Sequence, residues 1–210
     1  KWYDNIPLLS FIILKAKCRG CSAKIKTKYF IIELISALSF VLIFYLYGIS
    51  LTTLLLFILS ICFIIIFFID LKHFIIPNEI TYPLMIIGFL KSFDPNLNLH
   101  LFPNFINSLI GGIFGFTIIW LIIFIYKKLR NKDGMGLGDA KLLSAIGFWF
   151  GWVSIPFIIF FSSAIALLSV VPDLIKKKKQ LSSQIPFGPY LIIGNLVFLF
   201  LINPIKIFIN

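Results

Sequence analysis

The chain is poor in charged residues, and poorest in acidic ones. Only 13% of its 210 residues are charged, with eight Asp and Glu against 19 Lys and Arg. Hydrophobic residues make up 60% of the chain, which is more apolar surface than one soluble core of this size can bury. The composition excludes an ordinary soluble domain and indicates a membrane protein.

Several motifs of common chemistries are missing as well. With only His73 and His100 and no H-E-x-x-H pair, a zinc protease is disfavoured. There is no G-x-S-x-G elbow of a serine hydrolase, and the glycine-rich residues 133–138 have the spacing of neither a dinucleotide fingerprint nor a P-loop. No basic module with interleaved aromatics is present, so nucleic acid is not an expected partner.

The chain contains seven apolar runs. A helix needs about 20 apolar residues to span a bilayer, and residues 51–69 and 105–126 are uncharged runs of that order. The other runs are weaker or shorter: 30–47, 80–93, 140–152, 153–171 and 189–202. We predict an all-α protein, a polytopic bundle of membrane helices with about seven spans.

The basic residues test this count, because short cytosolic loops are enriched in Lys and Arg. Alternation through seven spans places the basic segments 1–28, 70–79, 127–141 and 172–188 on one side. Of the 19 basic residues, only Lys91 and Lys206 are left for the other side. We therefore predict a multi-pass protein of the cytoplasmic membrane with a cytosolic N-terminus. Its net charge of +11 then reflects topology and attraction to anionic lipid.

The first residues form a separate segment. We expect a short cytosolic region at 1–28 and one membrane domain at 29–210. Cys18 and Cys21 have the C-x2-C spacing of half a tetrahedral zinc site, which makes them candidate structural zinc ligands, and two unliganded thiols are the alternative. Because the chain opens at Lys1 inside a polar segment, we expect further sequence upstream.

Two aspartates stand out. Asp70 and Asp139 each lie where an apolar run meets a basic loop, on the same predicted side of the membrane. Residues 138–141 also look like a helix N-cap, which is the structural alternative for Asp139. Asp70 directly follows 51–69, at a helix C-terminus that disfavours an anion. Two neighbouring carboxyls would share one proton and could activate water without a metal or cofactor.

Four stretches resemble the type IV prepilin peptidases, a family of membrane aspartyl proteases with a G-x-G-D signature. In IDLKHFIIPN at 69–78, five variable residues separate Asp70 from an Ile-Pro pair, as in the first catalytic motif. GMGLGDAKL at 134–142 is similar to the second motif, and DNIPLLS at 4–10 and PFGP at 186–189 also agree. The resemblance implies that Asp70 and Asp139 are catalytic.

The family supplies further expectations. Its members cleave the basic leader from prepilins and pseudopilins at the cytosolic face, after a Gly and before a hydrophobic helix. Bacterial members typically also methylate the new N-terminus with S-adenosylmethionine, for which no binding residues can be named in this sequence. They carry a second C-x2-C upstream, which would complete the zinc site of Cys18 and Cys21.

Three alternatives stay open from the sequence. An ion-coupled transporter should hold its carboxylates near the bilayer midplane, whereas these lie at one surface. A non-catalytic membrane subunit is the second alternative. The archaeal preflagellin peptidases share the cleavage chemistry without methylation, but Cys18 and Cys21 favour the bacterial type.

The topology can be tested by labelling single cysteines in a background without the native ones. Probes at Lys72 and Lys132 should react only from the cytosolic face, and a probe at Asn98 only from outside. If Lys72 and Lys132 react from opposite faces, roughly 30 Å of hydrocarbon separates Asp70 from Asp139, and the pair cannot exist.

Overall fold

Helices account for the regular structure of the chain. A computed structural model describes residues 6–98, 101–130, 136–175 and 185–209, without the side chains of 98, 130, 172–175 and 202–209. These residues contain no strand, only an isolated bridge between Lys17 and Lys24, so the predicted all-α class is confirmed. The helices are α1 (Leu9–Ile13), α2 (Thr27–Tyr47), α3 (Leu51–His73), α4 (Asn78–Leu90), α5 (Phe105–Arg130), α6 (Leu137–Phe150), α7 (Ser154–Ile175) and α8 (Gly188–Ile209).

The seven longer helices fall on the seven predicted apolar runs. Four of them are long and apolar enough to cross a membrane: α2, α3, α5 and, through its stretch Ser154–Val171, α7. The apolar part of α8, Gly188–Leu201, is shorter, and α4 and α6 have only 13 and 14 residues. The protein is a multi-pass membrane protein, and seven complete crossings stay a prediction.

The chain divides into two compact units, Lys1–Ile64 and Ile65–Asn210. In the first unit, the backbone N–H of Leu8 donates to Glu33 Oε2 across 2.9 Å. The rings of Phe40 and Phe57 stack with their centroids 4.5 Å apart. These contacts tie the segment before α1 to α2, and α2 to the first half of α3.

Helix α6 forms the centre of the second unit. Ten of its 14 residues are buried, and α4, α5, α7 and α8 all pack against it. Gly147 of α6 faces Gly111 of α5 so closely that a Cβ on either would collide with the other's neighbouring backbone. Ser144 Oγ donates to the Gly112 carbonyl across 2.8 Å. Small residues permit this close approach of two helices in a membrane.

Lys91 secures the far end of α6. Its side chain is buried, and Nζ donates to the carbonyl of Trp149 across 2.9 Å while lying 3.9 Å from the ring centroid of Phe102. Trp149 in turn donates from Nε1 to the Leu84 carbonyl across 2.8 Å. The last carbonyls of a helix have no donor within it. The Lys91 bond supplies one for Trp149, and the two hydrogen bonds together fix α4 and the segment after it to the last turn of α6.

The packing of α5 on α6 predicts a strong effect of Gly147→Ala. The added Cβ would overlap the backbone of Gly111, and overpacking of this kind costs about 1–3 kcal/mol of unfolding free energy. Thermal unfolding in detergent should show a clear drop. Gly20→Ala is the control, because no atom lies within 4 Å of its added Cβ. Equal stability of Gly147→Ala and wild type would contradict this packing.

Candidate active site

Asp70 lies in the last turn of α3 with only 4% of its surface exposed. Its Oδ2 accepts a buried hydrogen bond, 3.0 Å long, from the backbone N–H of Gly188, the first residue of α8. The sequence shows only the unfavourable C-terminus of α3. The structure adds the N-terminus of another helix, where an anion is favoured. The Asp70 carboxylate is thus buried and stabilised by a hydrogen bond from the start of α8, although it lies at the C-terminal end of α3.

Asp139 lies in the first turn of α6 and is 8% exposed. The N-cap interpretation of this residue is wrong, because the N-cap is Gly136 and Asp139 is the third residue of the helix. The helix begins one turn earlier than residues 138–141 suggest. Gly136 and Gly138 carry no strong signal for a helix start, so tertiary packing decides where α6 begins. From the third position, the Asp139 side chain accepts a hydrogen bond from the backbone of the N-cap residue Gly136, as in a capping box.

The two carboxyls act on each other. Asp139 precedes the predicted span that begins at residue 140. Burial raises the pKa of its carboxyl to about 7, with the negative charge of Asp70 as the second cause, while a hydrogen bond with the backbone of Gly136 opposes the rise. Ionising both of two neighbouring buried carboxyls is costly in free energy, because their negative charges repel each other. The pair therefore has the electrostatics needed to hold one proton between two carboxyls.

Ile76 brings the two motifs together. After α3, Phe74 adopts a left-handed backbone with φ of 56°, and its N–H donates to the Asp70 carbonyl across 2.9 Å. The chain turns there, and Ile76 becomes buried. A Cβ on Gly138 would lie 3.0 Å from Ile76 Cβ, and one on Gly188 would lie 3.0 Å from Ile76 Cδ1. Both glycines are thus needed for space around Ile76.

A second contact links the two motifs at the protein surface. Lys141 Nζ donates to Asn78 Oδ1 across 2.7 Å and lies 5.2 Å from the ring centroid of Tyr82. It joins the first turns of α6 and α4, next to Asp139 and Ile76 in sequence. Sequence reasoning gave no role to Asn78, Lys141 or Gly188, although all three lie in the quoted motifs. Their partners are between 63 and 118 residues away in the chain.

Cys18 and Cys21 are both exposed on a short turn of the first unit. The bridge between Lys17 and Lys24 closes this turn, and the Cys18 N–H donates to the Ala23 carbonyl across 2.9 Å. Two thiols so placed could supply two of the four ligands of a zinc site. Within the described ranges, no group of three or more His, Cys, Asp or Glu could hold a metal ion. The zinc half site stays a prediction.

Parts of the sequence predictions fall outside the described residues. These are residues 4–5 and 133–135 of the quoted stretches, and the basic residues 1, 132 and 176–179.

Comparison with known proteins identifies the family. Residues 56–171, more than half of the chain, match the Type IV leader peptidase family. The protein belongs to this family. Residues 1–47 match a second family, the Bacterial Peptidase A24 N-terminal domain. The resemblance read from the motifs is thereby confirmed.

Curated relatives of the family carry the name prepilin leader peptidase/N-methyltransferase. The protein of Aeromonas hydrophila is 35% identical over 191 residues, covering 91% of this chain and 64% of the relative. That of Neisseria gonorrhoeae is 34% identical with the same coverage, and that of Xanthomonas campestris is 35% identical over 95% of this chain and 68% of the relative. This chain thus spans about two thirds of the relatives' length. No solved structure matches this chain.

The raised pKa of Asp139 predicts how stability depends on pH. Because the folded-state pKa of about 7 lies above the unfolded value of about 3.9, ionising Asp139 destabilises the fold increasingly as pH rises from about 4 to 7. Asp139→Asn removes this penalty, so the variant should melt a few degrees above wild type at pH 8, and the gap should close near pH 4. A melting temperature below wild type at pH 8 would contradict the raised pKa.

Proposed function

We propose that the protein is a membrane aspartyl endopeptidase that removes the basic leader from type IV prepilins and pseudopilins. The observation that carries the proposal is that Asp70 and Asp139, two buried carboxyls of the two motifs quoted for the family, lie around the same residue, Ile76. Ile76 packs against Gly138, the neighbour of Asp139, and against Gly188, the donor to Asp70. The relatives' name supplies the substrate class.

The chemistry follows from one proton held by two carboxyls. The ionised carboxylate takes a proton from a water molecule, and the resulting oxygen nucleophile attacks the scissile carbonyl carbon. The protonated carboxyl gives its proton to the carbonyl oxygen, so no full negative charge builds up on it. When the tetrahedral gem-diol collapses, the C–N bond breaks as the carboxyl that had taken the proton from water gives it to the leaving amine. The other carboxylate takes a proton back from a hydroxyl of the gem-diol as the C=O bond re-forms, so the pair again holds one proton.

The position of the pair suits a substrate that enters from the membrane. Asp70 lies at the end of a span-length helix, and the neighbouring Lys72 and His73 are exposed. If the hydrophobic helix of a prepilin lies in the bilayer, the scissile peptide bond just before that helix would lie at the same membrane depth as Asp70. The basic loops support a cytosolic location for this end of the bundle, in the cytoplasmic membrane.

Methylation of the new N-terminus is supported by the relatives' name alone. The match of residues 1–47 to a bacterial N-terminal domain favours the bacterial type over the preflagellin type. A transporter is disfavoured, because both carboxyls lie at helix ends rather than at helix breaks near the midplane.

Replacing either aspartate by asparagine tests the proposal. Asp70→Asn and Asp139→Asn keep the side-chain shape but cannot take up or share a proton, so each should lower the cleavage rate at least roughly 100-fold. The measurement is mass spectrometry of a prepilin incubated with purified protein in detergent or vesicles.

Asp94→Asn is the matched control. Asp94 lies outside both motifs, where its Oδ1 accepts the Asn96 N–H across 2.9 Å, and its replacement should leave cleavage intact. Near-native cleavage by a folded Asp70→Asn or Asp139→Asn variant would exclude the aspartyl mechanism.

A further inference from the structure

Gly188 offers Asp70 the free end of a helix. The first N–H groups of a helix have no acceptor within it, and the positive end of the helix dipole stabilises a negative charge nearby. In α8 the first N–H is that of Gly188, and it points at Asp70 Oδ2 in a buried contact of 3.0 Å. The next residue, Pro189, has no N–H to offer. The Gly188 N–H therefore donates to Asp70 Oδ2, and Pro189 adds no second donor.

The contact requires glycine. A Cβ at position 188 would lie 2.7 Å from Asp70 Oδ2 and 3.0 Å from Ile76 Cδ1. Any larger residue would push the carboxylate away from the N–H or displace Ile76 from its place between the motifs. Glycine at position 188 thus lets the backbone N–H reach Asp70, because there is no side chain to block the contact.

The two carboxyls of the pair are not equivalent. Asp70 receives its donor from a separate helix in a buried contact. Asp139 receives its backbone hydrogen bond from Gly136, in the same turn of chain. Burial and the charge of Asp70 together raise the pKa of Asp139 to about 7, so Asp139 holds a proton for part of the time near neutral pH.

The other charged and titratable side chains described at this end of the bundle have other partners or are exposed. Lys141 is bound to Asn78, and the hydroxyl of Tyr190, the titratable group of α8 among the described side chains, lies 2.6 Å from Ser169 Oγ. The side chains of the others are exposed: Lys72, His73, Glu79, Lys127 and Lys128.

We propose that Gly188 is a positioning residue whose N–H keeps Asp70 the ionised member of the pair and leaves the proton on Asp139. Within the proposed function, on which this assignment of roles rests, Asp70 is the base that activates water. Asp139 is the acid that protonates the scissile carbonyl. The order of ionisation itself is a property of the folded protein and can be measured without substrate.

The Gly188 amide is the natural probe. In the intact protein labelled with 15N-glycine, its NMR signal should shift with pH mainly as Asp70 ionises, at a lower pH than the step of Asp139. That shift should persist in Asp139→Asn and vanish in Asp70→Asn. A main step near pH 7 that Asp139→Asn abolishes, or no step at all, would overturn the proposal. The NMR titration needs no substrate, so it can distinguish a wrong order of ionisation from a wrong proposed function.

The pH dependence of kcat/KM for prepilin cleavage gives the second test. Its low-pH limb reports the ionised carboxyl and its high-pH limb the protonated one. Gly188→Ala weakens the donor to Asp70, so the low-pH limb should move up by about one pH unit while the high-pH limb stays in place. Movement of the high-pH limb alone, or of neither limb, would contradict the assignment.

Gly194→Ala is the matched control. It also overpacks α8, because its Cβ would collide with Ser162 Oγ and lie 2.8 Å from the Ile158 carbonyl. It contacts α7 rather than Asp70. Both limbs should keep their positions in this variant, even if its stability falls. An equal shift of the low-pH limb in Gly194→Ala would show that a general disturbance of α8, and not the Gly188 donor, is responsible.

Discussion

The burial of two carboxyls within electrostatic reach of each other is the constraint on which this structure depends. Like charges in a poorly solvated place repel, so the pair is stable only if one proton stays with it and the surrounding backbone supplies donors. The site meets both needs. Gly188 donates to Asp70, and the pKa of Asp139 is raised to about 7. The burial that destabilises the fold is also what the proposed hydrolysis would require.

Holding such a pair together demands a firm scaffold, and α6 supplies it. Its face toward α5 is built on Gly147 and Ser144, which allow backbone contact and a hydrogen bond to Gly112. At its far end, Lys91 binds the Trp149 carbonyl. With this face and the far end of α6 fixed, its first turn holds Asp139 at a defined place. The end of α3 and the start of α8 then meet around Ile76.

Much of this could be predicted from the sequence, because the signals are local. Apolar runs gave seven helices near their observed positions, and the motifs pointed to Asp70 and Asp139. Helix α6 begins one turn before the N-cap that residues 138–141 indicate, because a glycine-rich segment carries no strong boundary signal. The Gly188 donor could not be foreseen, because it comes from 118 residues away and is a backbone group that no residue pattern announces.

The coupling of the two aspartates is the central claim, and infrared spectroscopy of the protonated carboxyl band tests it most directly. In the wild type, a buried carboxyl proton should be present at neutral pH and titrate near pH 7. Asp139→Asn should remove that band. Asp70→Asn should move its titration to lower pH, because the negative charge that helps to hold the proton is gone. If the band titrates at the same pH with and without Asp70, the two carboxyls do not interact, and the account of the site fails.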